Sequence, residues 1–216
     1  MAGNQIDLVS LFRQATKSVK QNQATLNQAD TYNHDHGDHM TEIFEVITQA
    51  MKAKKNAEPA DQLEYAAQLL RQKTSSGSTA VYANGLEQAA KQVLGKELNV
   101  STIMAIIQAL MGSSQLPGQQ SSQASGGDML GTLVGQLLGG KDSTGASASG
   151  QGLDLSDLLG AGMDYMSAKQ AGKSDIEALT GALLSGSTMA QTPYRGQSGE
   201  VVTSALLGAL TKMMQK

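Results

Sequence analysis

Between Asp30 and His39 the chain reads Asp30-Thr-Tyr-Asn-His-Asp-His-Gly-Asp-His39. All three histidines of the protein, His34, His36 and His39, fall in this stretch, interleaved with Asp30, Asn33, Asp35 and Asp38. Carboxylate oxygens suit Mg²⁺ or Mn²⁺, and imidazoles suit Zn²⁺, Ni²⁺ or Mn²⁺. Gly37 lets a loop turn several of these groups towards one point. The competing reading is a solvated polar loop with an incidental histidine cluster.

Three further segments carry chemistry. Lys73-Thr-Ser-Ser-Gly-Ser-Thr79 opens a helical pattern. Small hydroxyl residues around a glycine at a helix N-terminus leave backbone N–H groups for an anion. An ordinary N-cap by Ser76 or Ser78 explains the same residues. Ser125-Gly-Gly-Asp128 precedes a short apolar segment and reads as another cap. Thr192-Pro-Tyr-Arg-Gly-Gln-Ser-Gly199 precedes the last apolar stretch, where Tyr194 and Arg195 could reach a base or a phosphate. The alternative there is a surface loop with a packed tyrosine. The chain has no GxxxxGK[ST] loop, no GxGxxG after a strand and no GxSxG elbow. A P-loop kinase, a Rossmann dehydrogenase and an α/β-hydrolase are therefore disfavoured.

Composition narrows the classes further. With no cysteine, a disulfide scaffold, a thiolate zinc site and a cysteine nucleophile are all excluded. A net charge of -3 argues against a duplex nucleic-acid binder, which shows a basic face or total. Aromatic residues make up 3%, too few for a platform that stacks single strands. The beginning of the chain has no basic segment followed by a long apolar core, and there is no apolar run long enough to span a bilayer. The expectation is a cytoplasmic protein with no membrane association.

The elements that must position these residues are helices. Apolar residues recur at helical spacing over 6–22, 40–54, 60–73, 79–95, 100–111, 153–170, 174–187 and 200–215. Gly95 and Gly112 serve as stops, Asn99 or Ser101 as a cap, and Ser174 with Glu177 as a capping box. No stretch alternates with period two. The expected fold class is all-α, one domain over 1–216, with a Gly/Ser/Gln-rich insertion at 113–152. Short connections make neighbouring helices antiparallel, so the first, third, fifth and seventh connections share one end. Those connections hold nearly all the unusual chemistry, as a ligand site at a bundle mouth would.

Taken in order, these segments resemble the ADP-binding L subunit of dihydroxyacetone kinase. The family's Asp-rich stretch between its first two helices is similar to Asn33-His-Asp35-His36-Gly37-Asp-His39-Met40. Its Gly/Ala/Ser loop at the start of helix four is similar to Ser75-Ser-Gly77-Ser78-Thr79. Gly127-Asp128-Met129-Leu130 looks like a shortened form of the stretch that opens helix six, with 153–158 a competing placement. Tyr194 to Gly199 stands where a Tyr-containing, Gly-rich loop precedes the last helix. The resemblance implies an antiparallel eight-helix up-and-down barrel whose mouth holds ADP or ATP with Mg²⁺, Mn²⁺ being an alternative. It implies metal ligation by Asp30, Asn33, Asp35 and His36. It implies contacts to the nucleotide from Ser76, Gly77, Ser78, Thr79, Asp128 and Tyr194. The implied activity is phosphoryl transfer to a small hydroxy-ketone held on a partner K subunit, and a homodimer is compatible with it. The family carries an aspartate where this chain has Asn33. That motivates an alternative: a non-catalytic relative that binds a nucleotide, a metal or a protein partner.

Overall fold

In the computed structural model, residues 7–112, 155–185, 187, 189 and 192–214 are described. They form eight helices and no strand: α1 Leu8–Ala29, α2 His36–Ala53, α3 Pro59–Lys73, α4 Gly77–Val93, α5 Val100–Leu110, α6 Leu155–Gln170, α7 Asp175–Ser185 and α8 Pro193–Met214. The all-α expectation holds. The 113–152 insertion and Asp128 lie outside the described residues.

Several helix ends follow from local chemistry. Asp7 caps α1, its carboxylate accepting from the amides of Val9 and Ser10 at 3.0 Å each. Asn99 caps α5 through Thr102 N–H at 2.9 Å, and Thr102 Oγ1 accepts from the Asn99 amide at 2.8 Å. This reciprocal pair resolves the choice between Asn99 and Ser101. Asn99→Ala is expected to cost about 1 kcal/mol, to be checked by urea unfolding. The Ser174–Glu177 box also forms, with Glu177 N–H to Ser174 Oγ at 3.3 Å and Ser174 N–H to Glu177 Oε2 at 2.9 Å. Gly95 and Gly112 take φ of 69° and 67°, the left-handed values that end a helix cheaply only at glycine.

Three ends differ from the expected ones. α1 runs to Ala29 rather than stopping at 22, because Leu26 continues the fully buried stripe of Phe12 and Val19. α2 begins at His36 rather than 40, and its first turn is capped from another helix. Asn27 Oδ1 of α1 accepts from the Gly37 amide at 2.6 Å and from the Asp38 amide at 3.2 Å. α8 begins at Pro193 rather than 200. Proline at the first helical position has no N–H to lose, and Gly196 N–H donates to Thr192 C=O at 2.9 Å. The segment read as a loop thus forms the first two turns of α8.

From α1 to α5 each helix packs on the next, and α8 packs on α1 and touches α5 and α2. α7 packs on α8, and α6 on α7. One continuous core results, drawing on α1–α5, Leu184, Met189 and α8. Its largest buried side chains include Phe12, Phe44, Tyr82, Met40 and Met51. Two crossings require a glycine. At Gly37 a Cβ would stand inside contact distance of the Gln23 carbonyl oxygen of α1 and 2.7 Å from Asn27 Oδ1. At Gly85 of α4 it would stand 2.7 Å from Ala109 O and 2.9 Å from Leu110 Cα of α5. Among the described residues, no helix is long and apolar enough to cross a membrane.

Candidate functional site

The α1–α2 connection with the start of α2, the α3–α4 connection with the start of α4, and the start of α8 line one cavity of about 340 Å³. Of the segments expected to share one end, those around Asp35, Gly77 and Tyr194 meet here, while the fifth connection lies outside the described residues. The cavity walls are Asp30, Tyr32, Asn33, Asp35, His36 and His39, then Ser76, Gly77 and Ser78, then Tyr194 and Arg195.

Each wall is set by backbone chemistry. Asp30 is buried, and its Oδ1 accepts from Tyr32 N–H at 3.1 Å, which closes a tight turn after α1. His34 takes a positive φ of 59°, and its Nδ1 lies 3.3 Å from Asn27 C=O. Asp35 occupies the N-cap position of α2 yet makes no side-chain cap bond. Asn27 serves the α2 amides from α1, so the Asp35 carboxylate is left to face His39 Nε2 at 3.4 Å and the cavity. Asp38 turns the other way and accepts from Gln23 Nε2 and from Asn27 Nδ2, the latter at 3.1 Å. It ties α2 to α1 and takes no part in the cavity wall.

Three helices begin at this cavity: α2 at His36, α4 at Gly77 and α8 at Pro193. The first amides of a helix have no acceptor inside it, and each N-terminus carries about half a positive charge. Ser76 caps α4 through Thr79 N–H at 3.3 Å and leaves the Gly77 and Ser78 amides to the cavity side. The Arg195 guanidinium stands over α4's first residue; a Cβ on Gly77 would lie 3.1 Å from Arg195 Nη2. It also stands 5.8 Å from the Tyr194 ring centre. Arg195 Nε is buried without a hydrogen-bond partner among the described residues.

His36 and Asp30 are the buried ionisable groups of the wall, His36 at 5% exposure. Tyr194 meets the His36 ring edge-on, centroids 4.8 Å apart. His36 Nε2 is buried and has no hydrogen-bond partner among the described residues. Burial lowers its pKa below the ordinary histidine value; Asp30 pulls it back up, and Arg195 pushes it further down. A buried hydrogen-bonding group left unmade costs about 1–3 kcal/mol. Two such groups at one mouth mark a place where a polar ligand would complete the bonding.

The sequence-chosen residues Asp30, Asn33, Asp35, His36, Ser76, Gly77, Ser78 and Tyr194 therefore meet at one cavity. Thr79 does not line it. Its hydroxyl is buried against Thr74 Oγ1 at 2.6 Å and Ser76 Oγ at 3.1 Å, and it braces the α3–α4 turn. Asp128 lies outside the described residues. Arg195, which the sequence offered beside Tyr194 for a base or a phosphate, also lines the cavity, and so does Tyr32, which the sequence reading did not single out. Tyr32 carried a signal: it is an aromatic residue, 93% exposed, set in an otherwise polar loop.

The carboxylates of Asp30 and Asp35 face a positive rim of helix ends and Arg195. Among the described residues, no group of three or more His, Asp or Glu side chains is arranged to hold a metal ion. Two carboxylates do suit Mg²⁺ when phosphate oxygens complete its shell. Set against family models, curated proteins and solved structures, the chain matches none of them.

Proposed function

We propose that this mouth binds the phosphates of ADP or ATP, and that the chain is the nucleotide-holding subunit of a phosphotransferase resembling the dihydroxyacetone kinase L subunit. The observation that carries the reading is the meeting of three helix N-termini with the Arg195 guanidinium at one cavity. Helix N-termini and a planar guanidinium are the two protein groups best matched to phosphate oxygens. The amides of Gly77 and Ser78 would cradle the phosphates, and Tyr194 would wall the pocket. The acceptor, a small hydroxy-ketone, would come on a partner subunit.

Asp35 and Asp30 are the residues to hold Mg²⁺, with Asn33 beside them. When bound, the ion would neutralise charge on the transferring phosphoryl group. The protein's own part is positioning: Asn27 frees Asp35 from capping, and the Asp30 turn fixes the loop. A second reading, a non-catalytic nucleotide-binding or protein-interaction module, is favoured by one feature. Both carboxylates already have partners in their own segment, Asp30 with Tyr32 N–H and Asp35 with His39.

Calorimetric titration of ADP and ATP, with and without Mg²⁺, tests the reading. Saturable binding that tightens with Mg²⁺ is expected, and no heat under any condition would overturn it. Asp35→Ala should abolish the Mg²⁺-dependent part of ADP binding. Binding as tight in the variant as in the parent would remove Asp35 from the metal site. Turnover on adding a hydroxy-ketone-binding partner subunit would separate the phosphotransferase from the non-catalytic module.

A further inference from the structure

We infer that the cavity contains an oxyanion subsite that works without a divalent cation, formed by His36 Nε2, the Arg195 guanidinium and the first amides of α4. The inference deepens the nucleotide reading, because it names the part of the site that takes the terminal phosphate. It stands on a separate observation. His36 is about nineteen-twentieths buried, lines the cavity, and its Nε2 has no partner among the described residues. Arg195 Nε, from a different helix, is likewise buried and unpartnered among the described residues. Their two helices begin at the same cavity, so both unmade bonds sit where helix ends already favour an anion.

The geometry is set before any ligand arrives. The Tyr194 ring meets His36 edge-on at 4.8 Å and limits its rotation. Gly77, with no side chain, lets the guanidinium lie close over the start of α4. Arg195 enters no ion pair among the described residues, although Asp30 and Asp35 line the same cavity. Its fork therefore remains available to two oxygens of one phosphate. A neutral imidazole with its proton on Nε2 would donate a further bond to a third oxygen. One guanidinium and several oriented dipoles supply positive potential that a bound cation would otherwise have to provide.

The test uses inorganic pyrophosphate titrated into the full chain in excess EDTA, read by calorimetry. One site per chain is expected. Arg195→Gln should weaken it at least tenfold while the thermal unfolding midpoint stays within a degree or two. Nitrogen NMR of the histidine rings in the unmodified chain gives an independent reading, in which His36 Nε2 shifts on titration and His34 does not. Absence of pyrophosphate binding in EDTA, unchanged affinity in Arg195→Gln, or an unmoved His36 signal would each overturn the subsite. If ADP binds only with Mg²⁺ and pyrophosphate does not bind in EDTA, the subsite fails and the nucleotide reading stands. If pyrophosphate binds in EDTA and ADP binds under no condition, the reverse holds.

Discussion

Replacing Phe44 with alanine should remove about 3–5 kcal/mol of stability, measured as a fall in the urea midpoint at unchanged slope. Phe44 is fully buried in α2 and meets Tyr82 of α4 edge-on, ring centroids 5.1 Å apart at 78°. The loss combines the transfer of a large apolar ring with the cavity it leaves. A domain of this kind has roughly 5–15 kcal/mol in total, so the variant would lie near its unfolding threshold at moderate temperature. Tyr82 brings a hydroxyl into the same region, where its only described partner is the Met189 sulfur at 3.9 Å. Burial pushes its phenol far above the ordinary tyrosine value, so it stays neutral at every working pH. A double-mutant cycle with Tyr82→Leu should show about 0.5–1.5 kcal/mol of coupling between the rings. A loss below 1 kcal/mol for Phe44→Ala would mean that the α2–α4 contact is absent from the core.

Gly37→Ala should cost about 3 kcal/mol, the upper end of the range for overpacking. The methyl group would meet the Gln23 backbone carbonyl of α1, whose oxygen cannot move aside as a flexible side chain would. Relief requires α2 to back away from α1, and that also breaks the bonds from Asn27 Oδ1 to the Gly37 and Asp38 amides. His36 and Asp35 sit on the displaced turn, so ligand binding should weaken along with stability. Gly208→Ala provides the contrast. Nothing lies within 4 Å of its added Cβ in α8. That change should be neutral or stabilise by up to about 1 kcal/mol through helix propensity. Equal effects at the two positions would rule out the close crossing at Gly37.

Helical periodicity placed the elements because the apolar stripes are strong, as in Phe12, Val19 and Leu26 along α1. It placed the ends less well, for identifiable reasons. The second half of α1 is polar, and its Gln, Asn and Ala residues continue a helix without an obvious apolar face. The start of α2 depends on Asn27, a cap supplied from another helix, and no local pattern reveals that. At α8 the glycines and the proline suggested a loop, yet Pro193 opens the helix. The candidate site was more legible than the helix ends. The expected alternation of direction put the segments bearing Asp35, Gly77 and Tyr194 at one end, and they meet at one cavity. What sequence could not separate was which hydroxyls in Ser75–Thr79 face outward. Ser76 caps and lines, Ser78 lines, and Thr79 turns inward to Thr74. That division depends on the helical phase of α4, which is fixed by its buried residues Tyr82, Ala83 and Leu86.

The hairpin of α6 and α7 has a consequence for how the molecule opens. None of residues 163–177 is buried, and Met163 and Met166 are 65% and 60% exposed. Few apolar contacts hold this stretch to the rest, so its amide protons should exchange with solvent well before those of α2 and α4. The slow-exchanging shell would then be α1–α5 with α8, the helices that share the main core and carry the three cavity walls. A ligand bridging α4 and α8 should slow exchange at Ser78 and Arg195 while leaving the α6 amides as fast as before.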